Sequence, residues 1–424
     1  MKNWAGSLNF EPETILAPGS IDEIQQNVIG ALEKKKNIRM IGSGHSWTGL
    51  FVTNDQLLHL DKYQGIHSVD KNNKIIHAKA GTKLFRFTNE AFEHGYCLAN
   101  QGDVEQQSLA GATSTGTHGT GVTLQSLSNL IEEVTIVNGQ AEVIKIGRDS
   151  EFFNAARLAV GSLGIVSDLK IKMKDKYRLK VKTFPMPMNE ALEKLDEWKQ
   201  KHRHVEVFYF PVGDWALVKI MDETNEEPTK RSFMHKFNES FLENTVYEWF
   251  NQAASATGKY KICDAIMQKF VSVNTLVDNA HRAFPTERTV RFMEMEYNIP
   301  AQDFKTAFAL IRKTIKEKNF QTLFPIEIRF VKSDDLWMSP ASGRDSAYIA
   351  FHTYSKEPWR DYFVTMERLL KEFQGRPHWG KWHTRKGPDL EKLYPRFNQF
   401  RALREKFDPQ GCFLNDHLKE LFIY

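Results

Sequence analysis

Cysteine is scarce in this sequence: Cys97, Cys263 and Cys412 are the three thiols among 424 residues. Their odd number and wide spacing exclude a disulfide framework and a Cys-based zinc site. Reduced thiols of this kind fit a cytoplasmic protein. Long apolar runs are missing as well. No stretch reaches the roughly 18 apolar residues of a membrane span, and Met1 to Phe10 holds no signal-peptide core, so neither spanning nor secretion is expected. Charge of one sign is also lacking. The 57 Lys and Arg against 53 Asp and Glu leave a net charge of +4, too small an excess to argue for a nucleic-acid partner. There is no His-Glu-x-x-His, and neither His383 nor His202 and His204 has a third ligand at usable spacing, so no metal is expected.

What is present is glycine in three places. The apolar run from Ile38 leads into Ile41-Gly42-Ser43-Gly44-His45-Ser46, where two glycines let the main chain approach a ligand and leave amides free for anionic oxygen. Gly-x-Gly-x-x-Gly is not completed, because Trp47 stands where the third glycine belongs. Asp61 is nevertheless placed where a ribose-binding acid is found, so an NAD-dependent dehydrogenase stays open. A second stretch runs from Ser108 through Gly111, Ala112, Ser114, Thr115, Gly116, His118 and Gly119 to Gly121. It is too small-chained to form a packed strand or helix, and it offers many amides and hydroxyls to a flat ligand. A third, Gly161-Ser162-Leu163-Gly164-Ile165-Val166, opens into an alternating run. Three such loops suit one large extended cofactor.

The length exceeds a single core, so two domains are expected. Ser20 caps a helix over Ile21 to Lys36, with Glu23 closing a capping box, and Leu84 to Gly95 forms a second helix. Leu130 to Val137 and Ala141 to Ile146 pair as a hairpin about Asn138-Gly139. A boundary at Thr183 to Pro187 separates residues 1–182 from residues 183–424. In the second half, Glu190 to Lys201 is helical, Val205 to Phe210 and Ala216 to Ile220 are strands, and Phe233 to Val273 lies on amphipathic helices. Tyr394 to Phe407 forms the last helix.

Two later strands carry polar residues on apolar frames. In Phe324 to Phe330, period-two geometry puts Glu327 and Arg329 on one face, as a buried ion pair or part of a polar site. Tyr348 to Tyr354 turns His352 to one side, as a structural or a catalytic histidine. Gly375 to Thr384 then crowds His378, Trp379, Lys381, Trp382 and His383 into one short segment.

These motifs, with Arg376-Pro377-His378-Trp379-Gly380-Lys381, resemble the aldonolactone and alditol oxidases among the vanillyl-alcohol-oxidase-type flavoproteins, collinearly from about Asn3-Trp4 onward. The resemblance implies an α+β protein. A two-subdomain PCMH-type FAD-binding domain is followed by a substrate, or cap, domain with an antiparallel sheet flanked by helices and a C-terminal tail returning to the first domain. It implies FAD joined covalently through His45, with the three glycine loops as its cradle, and Glu327, Arg329, His352 and Lys381 as the catalytic set. The implied reaction is oxidation of a CH–OH group in a polyol or sugar 1,4-lactone, with dioxygen as acceptor and peroxide as product. An aldonolactone dehydrogenase with another acceptor is the alternative. Ala110 lies where family members tune access of dioxygen.

Overall fold

A computed structural model describes residues 1–230, 247–286 and 289–424. Part of the region expected to form amphipathic helices, residues 233–246, lies outside the described residues. The remainder of that region forms helices Tyr247–Thr257 and Tyr260–Phe270 and leads into a strand.

The first half is built on two sheets. Strands β1 (Thr14–Leu16), β2 (Ile38–Ile41) and β3 (Gln56–His59) form a parallel sheet in the order β1-β3-β2. Helix Ile21–Lys34 connects β1 to β2; Ser20 Oγ accepts from Glu23 N, and Lys35 ends the helix at φ 53°. Strands β4 (Ile66–Asp70), β5 (Ile75–Lys79), β7 (Ile131–Val137), β8 (Val143–Gly147) and β9 (Ile165–Lys172) form an antiparallel sheet in the order β4-β5-β9-β7-β8. The short strands β6 (Tyr96–Cys97) and β10 (Lys174–Asp175) pair beside it.

The β7–β8 hairpin is present, but its turn is made differently from the Asn-Gly expectation. Asn138 Oδ1 accepts from Gln140 N and Glu142 N, and the left-handed residue is Ala141 at φ 61°. Gly139 serves packing instead, since a Cβ there would stand 2.4 Å from Asp408 Oδ1. Ser108 to Gly121 also departs from expectation, because Leu109–Ser114 is a short helix capped by Ser108 Oγ on Gly111 N. Small residues let that helix sit against the β5 end, where Ala110 N donates to Ala80 O.

Among the described residues, the second half holds an antiparallel sheet of eight strands. Its members are β11 (Arg178–Pro187), β12 (His204–Phe210), β13 (Trp215–Thr224), β14 (Asn274–Asn279), β15 (Phe292–Pro300), β16 (Ile326–Val331), β17 (Ser346–Tyr354) and β18 (Arg376–Pro377), in the order β14-β11-β13-β12-β16-β17-β15-β18. The expected boundary at Thr183 to Pro187 therefore falls inside β11, whose pairing with β13 begins at Arg178.

Register sorts this sheet into two faces. Val207 opposes Ile328, Ile328 opposes Ile349, and Met295 opposes Phe351, so one face is apolar. Helices Met188–Lys201, Phe304–Lys318 and Arg360–Lys371 share a core with it. Each side chain that is fully removed from water there contributes about 1.5–3 kcal/mol. The alternate residues make the other face polar: Glu206 opposes Lys219, Arg329 opposes Tyr348, Glu296 opposes Ala350, and Glu294 opposes His352. These residues are buried, so something covers them. The cover is the first half: Thr120 Oγ1 donates to Val205 O, and Gly121 N donates to Phe330 O.

The C-terminal helices Phe397–Phe407 and Asp416–Phe422 join the core of the five-stranded sheet. Asn415 Nδ2 donates to Gly49 O and Val52 O at 2.7 Å each, and Ile38 N donates to Cys412 O. Among the described residues no helix is long and apolar enough to cross a membrane.

Burial leaves His204 and His378 with pKa values of about 3 and His281 with about 4, below the usual 6.5. The unfolded chain therefore takes up protons that these rings refuse, and stability falls as pH drops from 6.5 toward 4. Each ring steepens that loss by at most about 1.4 kcal/mol per pH unit. Burial pushes Asp264 and Asp334 up to about 6; their contribution has the opposite sign and diminishes as pH rises through that value. The three histidines outnumber them, so Tm is expected to decline on acidification across this window. A Tm that rises there contradicts the neutral buried rings.

Candidate active site

The three glycine loops converge on one open crevice. Its lining holds Ile41 to Ser46 from the first loop, Ser108, Gly111, Ser114 and Thr115 from the second, and Gly161, Gly164, Ile165 and Val166 from the third. The first two loops touch because position 42 lacks a side chain: a Cβ on Gly42 would stand 2.4 Å from Ser108 Oγ. Gly44 has φ +68°, a left-handed turn that aims successive amides one way. Among the described residues, the N–H groups of Ser43, Gly44, His45 and Ser46 donate to no protein acceptor, leaving them for an anionic ligand. Lys83 Nζ stands 3.0 Å from Ser43 Oγ and 3.0 Å from Asp61 Oδ1, adding a cation at this edge.

Five predicted contact residues do not line the crevice. Ala112 is buried in the short helix, and Gly116 lies against Leu158. Gly119 lies against Asn100, and Gly121 bridges to Val331. His118 reaches the second sheet, with Nδ1 2.8 Å from Gly119 O and Nε2 3.1 Å from Glu296 Oε1.

His45 ends the first loop, stacked on Trp4 with ring centroids 5.5 Å apart. Burial, then the charges of Lys381 and Lys83, hold its pKa down at about 4, so the ring is neutral near pH 7. Trp47 N donates to Gly380 O and Thr48 Oγ1 to Trp379 O, which docks the segment carrying Lys381 on this loop.

The polar face of the second sheet supplies two charge groups. In one, Arg329 Nη2 lies 2.7 Å from Asp103 Oδ2 and 2.6 Å from Glu327 Oε1, and its Nε contacts Glu206. Lys219 Nζ stands 3.5 Å from Glu206 Oε2. Burial works against the Arg329 charge, but Glu206, Glu327 and Asp103 hold its pKa well above the ordinary arginine value. In the other, Lys381 Nζ contacts Glu294 Oε1, and His352 Nε2 is 3.3 Å from the same oxygen. Glu327, Arg329, His352 and Lys381 thus come to one face, in two separate networks. Sequence reasoning missed Asp103, Glu206, Lys219, Glu294 and Glu296. For the glutamates of β15 a signal was present: Glu294 and Glu296 alternate with Met293, Met295 and Tyr297 as Glu327 and Arg329 alternate with isoleucine.

The family model for D-arabinono-1,4-lactone oxidase matches residues 169–421, and one for an FAD binding domain matches residues 12–147. The chain belongs to the D-arabinono-1,4-lactone oxidase family. A relative named L-gulono-1,4-lactone dehydrogenase, from Mycobacterium tuberculosis, is 32% identical over 420 residues, 99% of this chain and 98% of its own length. The L-gulonolactone oxidase of Scyliorhinus torazame is 30% identical over 447 residues, again 99% and 98%. Among solved structures, a solvent-stable cholesterol oxidase superposes with a TM-score of 0.86 at 17% identity, covering 100% of this chain and 97% of its own, which establishes the PCMH-type fold alone.

As a member of this aldonolactone oxidase family, the chain is an FAD-dependent oxidoreductase acting on CH–OH groups. The FAD-binding match displaces the nicotinamide reading of the first glycine loop. The crevice fits the cofactor: unpartnered amides at Ser43 to Ser46 suit a diphosphate, and the missing side chain at Gly42 lets the first two loops meet along it.

Proposed function

We propose that this protein oxidises a carbinol of a sugar 1,4-lactone or an alditol, with FAD tethered through His45. The observation that carries the reading is the position of His45. It lines the crevice and has Lys381, Lys83 and Glu294 as charged neighbours. When bound, FAD supplies the two-electron acceptor for the carbinol hydride, with dioxygen or another acceptor turning it over.

The protein's part is binding, orientation and proton handling. Arg329, locked by three carboxylates, is an immobile donor for ring or chain oxygens, and Glu327 is an acceptor for substrate hydroxyls. Proton release from the reacting hydroxyl falls to the Lys381 and His352 pair. Trp47 and Trp4 wall the His45 end and exclude water there.

Purified protein is expected to be yellow, and its flavin to be bleached anaerobically by lactones or alditols. A substrate panel read at the flavin band, repeated in air with peroxide detection, identifies substrate and acceptor together. A colourless protein, or a flavin that no lactone or alditol bleaches, rejects the reading. Relatives named both as oxidase and as dehydrogenase support testing both acceptor types.

A further inference from the structure

Strand β15 points two carboxylates, Glu294 and Glu296, from its polar face, and both are at least nine-tenths buried. Their backbone carbonyls hold the segment that follows β18: His378 N donates to Glu296 O and Trp382 N to Glu294 O, each at 3.0 Å. Lys381 lies between those two anchors, and its ammonium returns to the Glu294 side chain.

His352 and Lys381 share that carboxylate unequally. His352 Nδ1 is 3.0 Å from Pro325 O, which can only accept, so Nδ1 carries a hydrogen. Its Nε2 is inaccessible and stands 3.3 Å from Glu294 Oε1 without hydrogen-bond alignment. Both ring nitrogens therefore face protein. Lys381 keeps 20% of its side chain exposed and passes 5.0 Å over the Trp47 ring, beside the first loop.

We propose that Glu294 is a positioning residue for the oxidation: one carboxylate oxygen holds Lys381 Nζ toward the crevice, and His352 packs against that oxygen from the other side. Lys381 is then the member that meets the substrate hydroxyl, and His352 acts through Glu294. This rests on the reading of the crevice as the flavin site. The charged or titratable groups around Glu294 are Lys381, His352, His45 and His378, with Glu296 on its own strand. Burial raises the Glu294 pKa, yet Lys381 and His352 outweigh it and hold the carboxyl below its ordinary value.

The test is anaerobic flavin reduction of the holoenzyme, using a lactone or alditol that the unaltered enzyme oxidises. E294Q is expected to reduce flavin about 100-fold more slowly. Because the effect of the carboxylate runs through the Lys381 ammonium, adding E294Q to a Lys381→Met protein is expected to slow it by less than about threefold more. E294D, which keeps the charge, restores part of the rate. H352Q loses less than E294Q. A purely structural role for Glu294 slows reduction as much in the Lys381→Met background as outside it, which overturns the proposal. So does a greater loss in H352Q. If E294Q does not hold flavin, E294D against H352Q decides: a wild-type rate in E294D beside a large loss in H352Q also overturns it. Failure of the unaltered enzyme to be reduced by any such substrate falls on the flavin-site reading instead.

Discussion

Replacing Arg329 with methionine is expected to abolish substrate oxidation and to cost about 3–5 kcal/mol of stability at neutral pH. Arg329 is 9% exposed and its guanidinium meets Asp103, Glu206 and Glu327, so its removal leaves three buried carboxylates with Lys219 as the near cation. Such carboxylates escape the low-dielectric penalty by binding protons. Their folded-state pKa values in the variant then lie above the unfolded ones, so the variant regains stability as pH falls and loses it as pH rises. Arg329→Lys keeps a charge without the planar fork and is expected to recover part of the stability but little activity. Denaturant midpoints from pH 5 to pH 8, with flavin content beside them, measure both effects. Asp103 comes from the first half of the chain and Glu327 from the second, so the damage is expected at the junction between them. An Arg329→Met protein as stable as the unaltered one would mean that the charges are open to water.

The parts of the site legible in the sequence are those that need no distant partner. Glycine at 42 and 44 marks backbone approach by itself, and period-two alternation fixes the common face of Glu327 and Arg329 without knowledge of the neighbouring strand. The partners of Arg329 were not legible, because Asp103 and Glu206 lie far from it in sequence and meet it through the β12–β16 pairing and the covering loop. Glu294 and Glu296 could equally have belonged to a solvated strand face; only the covering first half makes them buried. Residues Arg178 to Lys182 read as a continuation of the first domain, yet their hydrogen bonds go to β13 and β14. Short-range chemistry misled in the 108–121 stretch, where small residues suggested an open loop. Ser108 supplies a helix cap, and one turn of small residues is enough for Leu109–Ser114 to bury Leu109 and Ala112.

His45→Ala is expected to give a protein whose flavin is released on acid precipitation, whereas the unaltered protein keeps yellow colour and in-gel fluorescence after washing. Covalent attachment requires an imidazole lone pair, and a pKa of about 4 provides the neutral ring at pH 7 without a separate base. Burial is the main cause, and the two cations that add to it, Lys381 and Lys83, also favour negative charge on whatever occupies the crevice edge. Loss of the tether is therefore expected to slow flavin reduction about tenfold, roughly 1.4 kcal/mol in the barrier, while the amides of Ser43 to Ser46 still bind FAD reversibly. Adding free FAD to the variant restores colour but not resistance to acid. Truncation also removes the partner of Trp4, so Trp4→Phe serves as control: it keeps a stacked aromatic and His45, and its flavin is expected to stay bound through acid. If the flavin of His45→Ala survives acid and washing, the bond lies at another side chain, and peptide mapping of the yellow fragment finds it.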